Sequence, residues 1–170
     1  MSDAESKKKL FLESYDAYAD AIYRHCFFRV YSRELAEDLV QDTFMKTWEY
    51  LSGGGTIENI RAFLYRVATN AVIDRSRKRK EASLDGLLED LKIREPSIDL
   101  RGDMEQTLMI REVMSGLRFL PEDDRALIVM RYVDDLRPKE IAEILEVNAN
   151  AVSVRLNRAV EKLKEKIRVA

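Results

Sequence analysis

The sequence predicts an all-α protein made of two small helical domains joined by a flexible linker. Apolar residues recur three or four positions apart in nearly every long segment, and no strand-like alternation persists beyond a few residues. One stretch, residues 81–103, loses that period: it holds Pro96, Gly86 and Gly102 among the acids Asp85, Glu89, Asp90, Glu95, Asp99 and Asp103. A length of 170 residues with 46% apolar and 35% charged content suits one ordinary soluble domain or two small ones. The expected division is 1–80, a linker over 81–103, and 104–170.

The first helix is expected over about Leu12 to Val30 and the second over about Arg33 to Leu51, with Ser32 as N-cap. Gly53, Gly54 and Gly55 then end helical structure, because three consecutive glycines lose too much backbone freedom to continue it. After a loop to about Glu58, Asn59 is placed to cap a third helix that runs to about Arg79. Ile60, Phe63, Leu64, Val67 and Ala71 form its expected buried stripe, with Tyr65, Arg66 and Thr69 on the other side and Asn70 at the edge. Beyond the linker a helix begins near Met104, and Pro121 stands just inside the start of the next, followed by three acids that favour the helix dipole. Two more helices, Pro138 to Leu145 and about Ala149 to Ile167, are separated by a tight turn, the pattern of a helix-turn-helix.

Several function classes find no support in these residues. There is no glycine-rich phosphate loop, nucleophile elbow or metal-binding helix signature, so neither an enzyme nor a cofactor is expected. The lone Cys26 and lone His25 supply no metal ligand set; they read as a buried thiol beside a half-buried imidazole. No apolar run approaches the roughly 20 residues that cross a bilayer, and the start MSDAESKKKL is polar, so no membrane insertion and a cytoplasmic location are expected.

The net charge of −2 conceals strong segregation. The second helix carries Glu34, Glu37, Asp38, Asp42 and Glu49 against Arg33 and Lys46. The third carries Arg61, Arg66, Arg75, Arg77, Lys78, Arg79 and Lys80 against Asp74. A basic helix that also shows an aromatic and an amide suits single-stranded DNA, yet its terminal cations would equally complement the helix dipole. Asp38, Gln41, Asp42 and Lys46 suit docking on a basic helical partner, or simply a solvated face. On the last helix, Val152, Leu156, Ala159, Val160, Leu163 and Ile167 form an apolar stripe. Opposite it stand Asn150, Val154, Asn157 and Arg158, flanked by Ala151, Arg155 and Lys162; a solvated face and a major-groove surface both fit this pattern.

The order of three segments is more telling than any one of them. ELAEDLVQDTFMKTW, then IRAFLYRVATNAVIDRSRKRK, then LPEDDRALIVMRYVDDLRPKEIAEIL with AVSVRLNRAVEKL resembles the extracytoplasmic-function (ECF) subfamily of bacterial sigma-70 factors. The resemblance implies a sigma-2-like domain over 1–80 and a sigma-4-like domain over 104–170, with the linker threading toward the RNA exit path. It implies that Asp38, Gln41, Asp42 and Lys46 dock on the clamp helices of the largest subunit of core RNA polymerase, with a further contact at the flap region. It places the loop from Ser52 to Glu58 at the family's specificity loop and Asn70 where the family offers an amide to a flipped minus-10 base. Tyr65 and Arg66 neighbour that position, and Arg75, Arg77, Lys78 and Arg79 hold backbone. Asn150, Ala151, Ser153, Val154, Arg155, Asn157 and Arg158 fall on the minus-35 recognition helix. Promoter DNA and an anti-sigma factor follow as further partners.

This chain departs from the family's frequent Gly-Thr-Val-Lys-Ser-Arg run at that helix, with Asn150, Ala151, Val152, Ser153, Val154 and Arg155 in its place, and Glu146 replaces a frequent glycine in the turn. One cation fewer would flatten the salt dependence of duplex binding by about 0.9 in slope. Two rivals remain: a sigma mimic that sequesters a regulator without reading DNA, and a dimeric repressor or activator that binds duplex without polymerase.

Overall fold

The computed structural model describes residues 2–83 and 104–169. Among them are seven α-helices and no strand, in two compact units. The expected linker lies outside the described residues except for 81–83, which continue the third helix.

In the first unit, α1 (Asp3–Val30), α2 (Arg33–Ser52) and α3 (Ile60–Ser83) each pack against the other two. Helix α1 starts well before the expected Leu12. Ser2 and Glu5 form a reciprocal capping box, and the i,i+4 pair Lys7–Asp3, at 3.0 Å, supports the first turns. Hydrogen bonds from Ser2 hold the Glu5 carboxyl below the ordinary carboxylate range, so this cap is complete at neutral pH and weakens as acid protonates Glu5. Tyr31 closes α1 in the left-handed conformation, and Ser32 then caps α2, its hydroxyl accepting from the Leu35 N–H at 3.3 Å.

The core of this unit is built from Ile22, Cys26, Ala36, Leu39, Phe44, Leu51, Leu64, Ala68 and Val72, all buried. Each large aliphatic chain among them contributes about 2 kcal/mol of transfer free energy. Two polar residues join them at little cost: Thr43 and Thr47 donate to the carbonyls of Leu39 and Thr43, each at 2.7 Å, so neither of these two hydroxyls is stranded. His25 is fully buried, not half-buried as expected; its Nε2 lies 3.4 Å from Arg29 Nη1, and its ring meets Tyr65 edge-on at 5.5 Å.

Between α2 and α3 the glycine loop is tightly held. Gly54 has φ +100°, a conformation that favours glycine, and the Tyr50 ring covers Gly55 so closely that a Cβ there would overlap it. Tyr50 also packs on Phe63, ring centres 5.1 Å apart, which ties the loop to α3. Asn59 caps α3 as expected, its side-chain oxygen accepting from the Ala62 N–H at 3.1 Å.

In the second unit α7 (Ala149–Val169) packs on α4 (Met104–Arg118), α5 (Glu122–Ile128) and α6 (Pro138–Leu145). Gly116 lets α4 approach α7 closely, since a Cβ there would stand 2.8 Å from Leu163 Cδ1. Pro121 sits one position earlier than expected, as the N-cap of α5, and a π-helical turn, Val129–Val133, follows. The Arg125 guanidinium donates to the carbonyls of Leu117, Arg118 and Leu120 at 3.0–3.1 Å, satisfying the open end of α4.

The turn between α6 and α7 passes through Glu146 at φ 57°. A non-glycine residue there bears a steric cost. Glu146→Gly is therefore expected to stabilise this unit by about 0.5–1 kcal/mol, after the entropy that glycine adds to the unfolded chain. Greater amide-exchange protection along α6 and α7 would register the gain, and unchanged or weaker protection would contradict it.

Candidate functional site

Three surfaces carry the residues singled out in the sequence. On α2 the core takes Ala36, Leu39, Thr43, Phe44 and Thr47, which turns Asp38, Gln41, Asp42 and Lys46 to solvent. Asp38, Asp42 and Lys46 follow at steps of four along one side of the helix, with Gln41 beside them. Met45, 60% exposed, lies among them and adds an apolar contact that the charge pattern alone did not single out.

Helix α3 is oriented differently from the expected stripe. Its fully buried line is Leu64, Tyr65, Ala68, Thr69, Ala71 and Val72, while Ile60, Phe63 and Val67 are only partly covered. The helix is thus turned by about a quarter revolution from expectation. It packs on both α1 and α2, so the buried arc is wide and takes in residues with polar tips. Tyr65, 2% exposed, lies between His25 and the guanidinium of Arg61 and presents no stacking face to DNA. Thr69 is also buried, and its hydroxyl has no hydrogen-bond partner.

The same rotation brings Asn70 from the edge to the centre of the exposed side. Arg66, Asn70, Ile73 and Arg77, at steps of four, three and four, form one outward line opposite the core. Ile73 is 45% exposed and was missed from sequence because it fits a helical apolar pattern; here it offers the apolar surface beside Asn70 that Tyr65 does not. Lys78 and Arg79 continue the basic surface toward the helix end, and Arg77 also pairs with Asp74 at 3.3 Å. Arg75 reaches across to Asp38 on α2 at 3.7 Å, joining a residue of the acidic face to one of the basic face. Asp38 is exposed and Arg75 partly so, and the pair contributes about 0–1 kcal/mol.

On α7 the expected geometry holds. Val152, Leu156 and Ala159 are buried, while Asn150, Ser153, Val154, Arg155, Asn157 and Arg158 are exposed and Ala151 is half-covered. Asn148 starts the helix, accepting from the Asn150 N–H at 2.7 Å. Lys162, expected to flank this face, is exposed and also pairs with Asp124 of α5 at 2.8 Å, which helps hold the helix in place. Among the described residues no cluster of side chains is suited to a metal ion, and no helix is long and apolar enough to cross a membrane.

A basic helix with an outward amide on one unit and a helix-turn-helix on the other are features of the class of nucleic-acid-binding proteins. Family comparison agrees: the Sigma-70 region 2 family matches residues 14–82, and the Sigma-70 region 4 family matches residues 110–163. The ECF RNA polymerase sigma factor SigM of Bacillus subtilis is 31% identical over 163 residues, covering 89% of this chain and 91% of that one. SigW of the same organism is 28% identical over 166 residues, covering 93% and 89%. Among solved structures, the sigma factor RpoE of Bartonella quintana, in complex with the anti-sigma factor NepR, shares the fold at TM-score 0.75 and 24% identity, over 95% of this chain and 98% of that one. CnrH, in complex with the cytosolic domain of CnrY, does so at 0.68 and 22%, over 98% and 95%. This chain belongs to the ECF RNA polymerase sigma factors, and it directs promoter-specific transcription.

Proposed function

We propose that the first unit binds core polymerase through α2 and captures the melted minus-10 strand on α3, and that the second reads the minus-35 duplex through α7. The observation that carries this is the outward line Arg66, Asn70, Ile73 and Arg77 on the same three-helix unit that displays Asp38, Gln41, Asp42 and Lys46. Asn70 offers an amide to the edge of an extruded base, Ile73 an apolar wall, and Arg66, Arg77, Lys78 and Arg79 neutralise phosphate. Arg75 joins them once it leaves Asp38. Tyr65 acts from inside the core, positioning α3 rather than touching DNA. The loop held by Tyr50 over Gly55 is the specificity-loop candidate. The protein works by binding, in the cytoplasm, with no catalytic step of its own.

Melting is the step that needs compensation, because unstacking costs a few kcal/mol per flipped base. Cations on α3 supply it only where DNA is held alongside, which core polymerase provides. An anti-sigma factor fits as a further partner: Leu12, Tyr15, Met45 and Trp48 of the first unit and Phe119 and Tyr132 of the second leave apolar surface open.

Transcription of genomic DNA by purified core with and without this chain, read by sequencing the transcripts, tests the reading. Discrete chain-dependent starts that share upstream elements are expected. Absence of any such start would favour a sigma mimic, and a sequence-specific band shift without core would favour a dimeric regulator.

A further inference from the structure

The outward face of α7 carries an unusual centre. At about 100° per residue, Val154 falls almost diametrically opposite the mean direction of Val152, Leu156 and Ala159, and it is 49% exposed. A single exposed valine is ordinary on a protein surface, but its neighbours are not arbitrary. Asn150, four positions earlier, and Asn157, three later, are exposed on the same line, with Arg155 and Arg158 to one side of it. Farther along, Glu161 and Glu165 occupy that line, and Lys164 pairs with Glu161 at 3.4 Å. The apolar and amide groups of this line therefore lie within the first three turns of the helix, where a duplex would meet them. What it meets first is one branched apolar group between two amides.

In the major groove the thymine C5-methyl is the one apolar mark on a base edge, and an Asn amide pairs bidentately with adenine N6 and N7. We infer that Val154 is a specificity-determining residue that reads a thymine methyl in the upstream duplex element, with Asn150 and Asn157 set toward adjacent adenine edges. The inference rests on α7 being the minus-35 reader. It predicts an element containing A·T pairs at the centre of the contact, and it replaces the polar serine that the family often has at this position with a contact that excludes water.

The test uses holoenzyme formed from core polymerase and the full chain, on a promoter recovered by the transcript experiment. Deoxyuridine, which lacks only the methyl group, is substituted for each upstream thymine in turn. At one thymine the affinity of the holoenzyme is expected to fall by about fourfold, the effect of removing one methylene-sized group from a dry contact. With Val154→Ala that same substitution should have no effect, and with Val154→Ile the sensitivity should persist. If every deoxyuridine is silent, or if the penalty is unchanged in Val154→Ala, the inference is overturned while the reading of α7 stands. If no upstream duplex sequence influences the holoenzyme at all, both are overturned.

Discussion

Replacing Asn70 by alanine is expected to lower open-complex formation by about 10- to 100-fold while core binding stays as it was. A bidentate amide contact to a base edge accounts for about 1–3 kcal/mol, and the flipped base has few other polar partners on this face. Asn70 is exposed and lies opposite the buried line of α3, so the substitution removes no packing and the fold should be unaffected. The loss should be selective for the base at the flipped position: changing that base should matter for the native chain and hardly at all for Asn70→Ala. Permanganate reactivity of melted thymines, measured at matched holoenzyme concentration, checks it. Unaltered opening with unaltered base preference would remove Asn70 from the pocket. Ile73→Ser belongs to the same experiment as a milder perturbation, because it removes the apolar wall and leaves the amide.

The second large effect concerns α2. Reversing the charge of both Asp38 and Asp42, as Asp38→Arg with Asp42→Arg, is expected to weaken binding to core polymerase by about 100-fold or more. Like charges placed against a basic partner cost several kcal/mol, and part of the change should appear in the association rate and fade as salt rises. Both residues are exposed, and Asp38 pairs with Arg75 in a contact worth about 0–1 kcal/mol, so loss of folding does not explain such an effect. Trp48, the sole tryptophan, packs on Phe11 with ring centres 5.2 Å apart, and its fluorescence verifies that the first unit is intact. Equal affinity for core, in a variant with native fluorescence, would separate α2 from docking.

These outcomes also bear on what the residues alone could reveal. Element ends with strong local signals were legible: Ser32, Gly53, Asn59 and Pro138 bound their helices as expected, since a cap or a helix breaker acts within one turn. The early start of α1 had a signal too, the Ser2–Glu5 capping box, but the apolar period is weak there and the segment reads as a polar tail. The rotation of α3 was not legible. Periodicity counts apolar residues, whereas this core accepts the rings of Tyr65 and His25 and the hydroxyls of Thr43, Thr47 and Thr69, whose burial is decided by neighbouring helices. Tertiary contacts escape for the same reason. Arg125 closing the end of α4, Lys162 reaching Asp124, and Tyr50 covering Gly55 depend on chain folding rather than on spacing. On α7 the exposed side follows from geometry once the apolar stripe is set, whereas the pairing of Lys162 with Asp124 does not.

Cooperation between the acidic and basic helices of the first unit can be read in one titration. The non-template strand of a recovered promoter, fluorescently labelled, is bound by the chain alone and by the chain with stoichiometric core polymerase. Sequence-selective capture should require core, with the free chain showing only weak, salt-sensitive association that ignores sequence. Equally tight and equally selective capture by the free chain would contradict the account.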